Sequence, residues 1–365
     1  MRIAYVTLNL METIALGGVG RKIRSTIKMW HELNHQACWF ATSNVHIEED
    51  GLCFFSFNHK SRIIREFRRS ISLKELIHAV NEYNPDIIYL RAGVYTYPLH
   101  RLFNIAPVIL ELNTLDLIEY RNRGLFRYAL HLLSRSHVYR GAKGFVALSK
   151  EIARNRANIK FNKPIAVISN GINLDKYQPL PAPDNSRPCL VYIGTPGNQW
   201  QGVEKLIQLA KRCPDYRVEL IGVDEVRLKC KIPENVNLHQ FMKEQDYLPI
   251  LAQADVAVGT LSLYRKGMNE ASPLKVREYL AYGIPVIIAY QDTDFDSEDE
   301  NFILQLPNCE DNINNHINEI KSFIMHQKGR RADPLKVKAK IHIRGKEIER
   351  LKYFEKILAN YSVKG

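Results

Sequence analysis

Several features that would place a chain in a special class are missing from this sequence. The longest apolar run, at 284–290, falls far short of the ~20 residues that a membrane-spanning helix needs. The six cysteines are scattered, with no Cys-x-x-Cys pair and no nearby histidine at ligand spacing. That usage argues against a structural zinc site and for a reducing compartment, the cytoplasm. No repeat or low-complexity tract interrupts the chain, so we expect an ordinary globular protein.

Length and charge narrow the possibilities further. The 365 residues suffice for two domains, each with its own core. A net charge of +12 predicts an anionic partner: a nucleic acid, a phosphorylated substrate or an anionic lipid. The excess is uneven, because segments 60–74 and 121–143 each hold six basic residues against one acid in the first and none in the second. Residues 3–7 predict a buried strand directly after Met1-Arg2, with no room for a signal peptide.

The coarse pattern alternates short β-branched runs with helical periods, which is typical of parallel sheets covered by helices. One series fills 1–172, a proline-rich connector fills 173–188, and a second series fills 189–335. We therefore predict an α/β protein with two doubly wound, Rossmann-like domains. Such sheets bind ligands at the carboxyl ends of their strands, so the site is expected in a cleft between the halves. The tail from Pro334 to Ala359 predicts one long helix.

The stretch 270–285 carries the clearest chemistry. Ser272 is a good N-cap and Pro273 suits the first helical position, whereas Gly283 favours termination. The first turn then presents free amides and the charge of Lys275 to an anion such as a phosphate. Glu278 lies one turn further on the same face, where its carboxylate could accept the hydroxyls of a ribose. This order describes a nucleotide site, although an exposed Lys–Glu pair worth ~0.3 kcal/mol is the plainer alternative.

Two segments resemble a known family. Glu270 and Glu278 with seven residues between them, together with the Ser-Pro-Leu-Lys helix start, resemble the Glu-x7-Glu signature of retaining GT-B glycosyltransferases of family 4. Segment 170–173 resembles that family's interdomain Asn-Gly-Ile/Val-Asp motif. The resemblance implies a GT-B fold, a UDP- or GDP-sugar donor, and transfer of a hexosyl group with retention, without metal or cofactor. It also implies that a terminal helix, 336–365, packs back on the first domain.

The resemblance assigns roles to individual residues. Glu270 would hold the hydroxyls of the donor sugar, Lys275 the diphosphate and Glu278 the ribose. The family's donor loop departs from its usual pattern here, because its Arg and Lys are replaced by Thr195 and Gln201. Gln201 can still donate hydrogen bonds, but more weakly than a charged group. The remaining expected donor-binding residues are Leu274, through its amide, Ser272, Gly17, Gly18, Phe241 and Met242.

The acceptor side is less regular. Glu111-Leu112-Asn113 stands where many family members carry a His-Asp pair, and no histidine is present. Glu111 is a candidate catalytic residue that could orient an acceptor hydroxyl; alternatively it is a buried strand-end carboxylate satisfied by backbone amides. Asn113 and Arg91 are candidate acceptor-binding residues. The implied acceptor is a glycan or lipid-linked glycan in bacterial surface polysaccharide synthesis.

The basic segment 62–80 has two open interpretations. Segment 62–80 places its apolar residues on one face and arginines on another, which fits a surface helix packed on the sheet or a helix lying on an anionic membrane. We expect peripheral association with the inner face of the cell membrane and no nucleic-acid partner.

Two other functions compete with glycosyl transfer. They are a sugar-nucleotide epimerase and a non-enzymatic basic module for membrane or nucleic acid. The acidic loop 292–300 is expected to be a solvated turn.

Overall fold

The computed structural model describes residues 1–11, 15, 17–44, 51–91, 93, 95–122, 124–194, 198–223, 228, 230–296 and 300–362. The chain forms two compact units. The first unit comprises Met1–Gly171 and Ile343–Gly365, and the second comprises Ile172–His342. In the described part of the chain, no helix has the length and apolar character required to cross a membrane.

The first unit is built on a parallel sheet of seven strands in the order β3-β2-β1-β4-β5-β6-β7. Its strands are β1 (Arg2–Leu10), β2 (Gln36–Ser43), β3 (Leu52–Ser56), β4 (Ile87–Arg91), β5 (Val108–Leu112), β6 (Gly144–Ala147) and β7 (Ile165–Val167). Residues 3–6 of β1 are buried in an unbroken run, as expected for a strand covered on both faces. The strand order reverses between β1 and β4, and such a reversal marks the usual ligand crevice of a doubly wound sheet.

Helices cover both faces of this sheet. They are α1 (Gly18–Glu32), α2 (Arg62–Tyr83), α3 (Asp116–Asn122), α4 (Leu125–Gly141), α5 (Lys150–Arg154) and α6 (Arg156–Ile159), with a 3₁₀ segment at Leu99–Asn104. Ile23, Ile27 and Trp30 of α1 are buried at helical spacing and pack into the core.

The second unit repeats the plan with six parallel strands in the order β10-β9-β8-β11-β13-β15. These are β8 (Cys189–Ile193), β9 (Arg217–Ile221), β10 (Val236–His239), β11 (Val256–Val258), β13 (Val286–Ile288) and β15 (Ile303–Gln305). A separate parallel pair joins β12 (Glu270–Ala271) to β14 (Gln291–Asp292). The helices are α7 (Val203–Arg212), α8 (Glu244–Ala252), α9 (Leu274–Ala281), α10 (Asn312–Asn315), α11 (Ile317–Gln327) and α12 (Pro334–Ile341). The strand order reverses between β8 and β11, and the predicted pair of doubly wound α/β sheets is confirmed.

The tail is two helices and not the one predicted. Helix α12 ends before His342, whose backbone is extended (φ −61°, ψ 128°), and α13 (Ile343–Ser362) follows. The break coincides with the boundary between the units. At the same boundary, a Cβ at Gly171 would lie 2.7 Å from the Cα of Ile343, so only glycine permits this approach.

Helix α13 is anchored in the first unit by one buried polar group and by aromatic packing. Glu347 accepts a hydrogen bond from Trp30 Nε1 at 2.8 Å and pairs with Arg350. Phe354 packs its ring against Trp30 and Tyr89, with centroids 5.9 and 5.2 Å apart. The terminal helix is therefore an integral part of the first unit's core.

Candidate active site

The carboxyl end of β8 and the start of α9 are joined by two side chains of the helix. Lys275 Nζ donates to the carbonyl of Ile193 at 3.1 Å, and the Tyr279 hydroxyl accepts from the amide of the same residue at 2.6 Å. The ammonium also lies 4.0 Å from the centre of the Tyr192 ring, which is a cation–π contact. These contacts hold the start of α9 at the carboxyl end of β8, where the strand order of the second unit reverses.

Lys275 lacks an acidic partner within the described residues. It is half-buried, and burial lowers its pKa to about 7. An anion bound here would raise the pKa of Lys275 again, because an opposite charge favours the protonated ammonium that burial disfavours. The first turn of α9 contains no acidic residue, so the dipole and the ammonium act in the same direction.

The two glutamates of the motif have different environments. Glu278 is buried, and its carboxylate accepts a hydrogen bond from the hydroxyl of Tyr247 on α8. A carboxylate has about four acceptor sites, so this bond leaves room for a ribose hydroxyl in chemical terms. Glu270 is half-buried at the start of β12, where its backbone is paired in register with Gln291.

Ser272 does not occupy the predicted N-cap position. Helix α9 begins at Leu274, and Pro273 is the cap residue, with an extended backbone (φ −71°, ψ 132°). The Ser272 hydroxyl instead accepts from Arg277 at 3.0 Å. Leu274, and not Pro273, is the first helical residue, so its amide belongs to the first turn, whose N–H groups have no carbonyl partner within the helix.

Arg277 also overturns the expectation of a solvated acidic loop. Its guanidinium is fully buried and donates to both oxygens of Asp292 at 2.8 Å and to Asp294 at 2.7 Å. Burial alone would lower the pKa of Arg277, but the two carboxylates raise it above its ordinary value. Further along, Glu300 is buried and pairs with Lys336 at 3.2 Å. Asp292, Asp294 and Glu300 are therefore partners of buried or nearby cations, whereas Asp296 is exposed and residues 297–299 lie outside the described residues.

The donor loop after β8 is only partly described, and Thr195 lies outside the described residues. Gln201 is buried, and its side-chain oxygen accepts from the hydroxyl of Tyr192, the same ring that contacts Lys275. Gln201, Tyr192 and Lys275 therefore form one contiguous group. The next residue, Gly202, has φ +73°, and a Cβ there would lie 2.6 Å from Ser262 Oγ.

The predicted base-reading segment lies before α8. Phe241 is largely exposed and Met242 is half-buried. They follow β10, at the edge of the sheet opposite to β15. Ligands of such sheets bind at the carboxyl ends of the strands, so this location fits a base at one end of the nucleotide.

Glu111, in the first unit, is surrounded by protein partners. It is fully buried, and its carboxylate accepts from Lys22 at 2.6 Å, from Tyr5 at 2.8 Å and from Arg91 at 3.3 Å. Burial would raise its pKa, but the charges of Lys22 and Arg91 outweigh burial and hold the pKa well below its usual range. This environment favours the alternative of a buried strand-end carboxylate, held here by side-chain cations and not by backbone amides.

The remaining first-unit candidates lie near strand ends and one helix start. Arg91 is partly exposed and faces Glu111 in the register of β4 and β5. Asn113 Nδ2 lies 3.5 Å from the Glu111 carbonyl, and its Oδ1 is buried without a partner in the described structure. Gly17 is the cap residue and Gly18 the first residue of α1, whose first turn has no acidic side chain. These features suit an anion at the α1 start.

Sequence reasoning missed several residues that organise these groups. Nothing in the spacing of Tyr192, Tyr247 and Tyr279 indicated that they contact Lys275, Glu278 and Ile193, respectively. Lys22 could have been noticed, because it lies within the buried face of an amphipathic helix next to Ile23. Among the described residues, no group of three or more His, Cys, Asp or Glu side chains is arranged to hold a metal ion.

Comparisons with known proteins agree with this architecture. The family model described as Glycosyltransferase Family 4 matches residues 16–176, somewhat less than half of the chain. No curated protein matches the sequence. The match and the fold together support the resemblance to family 4.

Solved structures show the same fold over nearly the whole chain. Sucrose-phosphate synthase from Thermosynechococcus elongatus superimposes with a TM-score of 0.70 at 15% identity, covering 99% of this chain and 100% of that one. The lipopolysaccharide outer core galactosyltransferase WaaB has a TM-score of 0.65 at 13% identity, over 97% and 100%. The Anabaena protein HepE in complex with UDP and glucose has a TM-score of 0.65 at 13% identity, over 98% and 100%. The predicted GT-B fold is confirmed.

Proposed function

We propose that this protein is a glycosyltransferase that moves a sugar from a nucleotide-sugar donor to a glycan or lipid-linked acceptor. The observation that carries the proposal is Lys275, a half-buried ammonium without an acidic partner in the described structure, at the N-terminus of a helix joined to the end of β8. A diphosphate is the anion that this arrangement suits best. The family match and the glycosyltransferases among the solved structures of this fold add support.

In the proposed complex, Lys275 and the Leu274 amide bind the diphosphate, and Glu278 accepts the ribose hydroxyls beside Tyr247. Glu270 holds the donor sugar, and the backbone near Phe241 and Met242 contacts the base. Gln201 supports the site through Tyr192. The principal catalytic effect is electrostatic stabilisation of the departing diphosphate, and loss of Lys275 raises the barrier by ~3 kcal/mol.

We propose further that transfer retains the anomeric configuration and needs no metal. The leaving phosphate takes the acceptor proton on the same face, so no lasting enzyme nucleophile is required. Arg91 and Asn113 bind the acceptor, and the α1 start at Gly17 and Gly18 offers its amides to an anionic group. The acceptor belongs to bacterial surface polysaccharide synthesis, the context of the galactosyltransferase among the similar structures.

We also propose that the first unit lies on an anionic membrane surface. In α2, Leu73, Leu76 and Val80 are buried, whereas Ile64, Phe67 and Ile71 are exposed. At 100° per residue, a shift of nine residues turns the side chains by half a revolution, so the exposed group lies opposite the buried one. The apolar residues of α2 therefore form two opposite faces, one buried and one exposed, and not the single apolar face that the sequence predicted.

The exposed apolar face has basic and apolar neighbours. Arg68, which is exposed, lies nearest to this face on α2, whereas Arg69 is turned away from it and stacks on the Phe57 ring. Helix α4 exposes Leu125, Phe126, Leu130, Leu132 and Leu133. Both helices pack against the same segment, Leu99–Asn104. Exposed apolar side chains beside a basic residue suit the boundary of an anionic bilayer, where each basic residue contributes ~1 kcal/mol.

The decisive experiment measures donor binding. A panel of UDP-, GDP- and ADP-sugars is screened for thermal stabilisation, because a ligand at 100 times its dissociation constant adds ~2.7 kcal/mol. The stabilising donor is then tested in Glu278→Gln, which preserves shape but removes the anionic acceptor. We expect at least tenfold weaker binding. Unchanged binding and turnover in Glu278→Gln would overturn the site.

Three further measurements test the competing epimerase function, the metal independence and the retention. Nuclear magnetic resonance of the donor incubated alone distinguishes slow hydrolysis, expected of a transferase, from formation of an epimer. Activity after exhaustive chelation tests metal independence. The anomeric configuration of the product, read from its coupling constants, tests retention.

A further inference from the structure

A cleft of about 330 Å³ opens in the second unit beyond the carboxyl ends of β13 and β15. Its lining residues are Asn269, Tyr290, Gln291, Gln305, Leu306, Pro307 and Asn308. Parallel α/β sheets bind ligands at this end of their strands. The volume falls at the lower end of the ~300–1,000 Å³ range of ligand sites, which suits a small ligand or one unit of a larger one.

The lining chemistry indicates the class of ligand. Four of the seven lining side chains are carboxamides and none is charged. A carboxamide both donates and accepts hydrogen bonds, as a sugar hydroxyl does, whereas a phosphate or carboxylate would find no cation here. Tyr290, Leu306 and Pro307 add apolar surface for the C–H groups of a sugar ring. The Tyr290 hydroxyl is buried and has no hydrogen-bond partner in the described structure.

The rim of the cleft is held in place before any ligand arrives. Asn308 Oδ1 accepts from the amide of Tyr264 at 2.8 Å, while its Nδ2 donates to the Met268 carbonyl at 2.8 Å and to Asn269 Oδ1 at 3.1 Å. Arg265 fixes the same loop by pairing with Glu310 at 3.1 Å. A preorganised rim lowers the ordering cost of binding.

Two lining residues of the cleft are neighbours of Glu270 through the backbone. Asn269 precedes Glu270, and the Gln291 amide donates to the Asn269 carbonyl at 2.8 Å while Gln291 is paired in register with Glu270. We propose that the cleft is a subsite for a neutral, hydroxyl-bearing glycosyl unit. This inference rests on the proposed function, which places the donor sugar at Glu270. The unit belongs either to the donor or to the acceptor, and both present the same hydroxyl chemistry.

The test uses Gln291→Leu, Gln305→Leu and the double variant, because both side chains are exposed at the cleft and their removal should leave the fold intact. Gln253→Leu is the matched control, an exposed glutamine that precedes β11 and therefore lies at the amino ends of the strands, away from the cleft at their carboxyl ends. Calorimetric titrations compare UDP with UDP-glucose, UDP-galactose and UDP-N-acetylglucosamine. Saturation-transfer NMR measures binding of the methyl glycosides of the same three sugars.

Each outcome has a defined meaning. If the donor sugar occupies the cleft, the double variant binds a UDP-sugar at least fivefold more weakly while UDP binding is unchanged. If an acceptor sugar occupies it, nucleotide binding is unchanged and methyl glycoside binding is lost. Parent-like binding of all ligands by the double variant, or absence of glycoside binding in the parent together with unchanged UDP-sugar binding, overturns the subsite. Failure of the parent to bind any nucleotide counts against the proposed function alone, since the glycoside titration still tests the cleft.

Discussion

Arg277 and Asp292 form a bidentate ion pair, with both N–O distances 2.8 Å and side-chain exposures of 0 and 1%. Asp294 and the Ser272 hydroxyl contact the same guanidinium. Arg277 therefore ties α9 to β14, and β14 is the strand that pairs with Glu270. Through this strand pairing, the ion pair helps to fix the position of the motif glutamate.

Replacing Arg277 by Met should destabilise the second unit strongly. The substitution leaves two buried carboxylates without a counter-charge, and breaking a buried pair in this way costs ~3–5 kcal/mol. Thermal and urea unfolding followed by circular dichroism measure the loss. Arg212→Met is the matched control, an exposed arginine at the end of α7, and should change stability by less than about 0.5 kcal/mol. Equal stabilities of the two variants would contradict the role given to Arg277.

Much of the fold follows from local patterns. The alternation of apolar runs and helical periods predicted both sheets, because buried parallel strands such as β1 leave an uninterrupted apolar signal. The break at His342 was not predictable, since helical periodicity continues through it and only tertiary pairing of the tail with the first unit's core separates α12 from α13.

The site was predictable where chemistry is local in sequence. Residues 270–278 indicated an anion site because spacing alone puts Lys275 and Glu278 one turn apart. Contacts across long sequence separations were not predictable: the three partners of Glu111 lie 106, 89 and 20 residues away, and Arg277 reaches the acidic loop 15 to 17 residues on. A charged residue inside an apolar helix face, such as Lys22, indicates burial but does not identify its partner.

Binding of a UDP-sugar should weaken as pH rises above about 7. Burial lowers the pKa of Lys275 to about 7 in the free protein, so the diphosphate binds a lysine that is protonated below that pH and neutral above it. If only the protonated form binds, affinity at pH 8 is about tenfold lower than at pH 6. UDP-glucose is a suitable probe because its diphosphate does not titrate in this range. Isothermal calorimetry at both pH values measures the change.

Two variants control this prediction. Lys275→Arg keeps a charge that does not titrate near neutrality, so its affinity should be independent of pH between 6 and 8. Lys275→Met should bind weakly at both values. A pH dependence that persists in Lys275→Arg would show that another group is responsible.

Replacing Glu111 by Gln should destabilise the first unit by ~3 kcal/mol, because Lys22 then becomes a buried ammonium without a full counter-charge. The double variant Lys22→Met/Glu111→Gln should recover part of this loss. The depressed pKa of Glu111 contributes stability above the ordinary carboxyl pKa of ~4.3, and this contribution is lost as pH falls through the folded value. Glu111→Gln should therefore show a flatter dependence of stability on pH below about 4. A stable Glu111→Gln that loses only transfer activity would instead support a role in orienting the acceptor.

Exposed apolar residues of the first unit should determine binding to anionic vesicles. Phe67→Ser and Leu133→Ser remove side chains that are 68% and 81% exposed, so folding should be unaffected. Each should weaken binding to phosphatidylglycerol-containing vesicles about tenfold in a sedimentation assay, since burying such a side chain contributes ~1.5–3 kcal/mol. Leu335→Ser is the matched control, because Leu335 is 77% exposed but belongs to the second unit. Arg68→Ala should lower binding to anionic but not to zwitterionic vesicles. Equal binding by Leu133→Ser, Leu335→Ser and the parent would mean that this face does not enter the bilayer boundary.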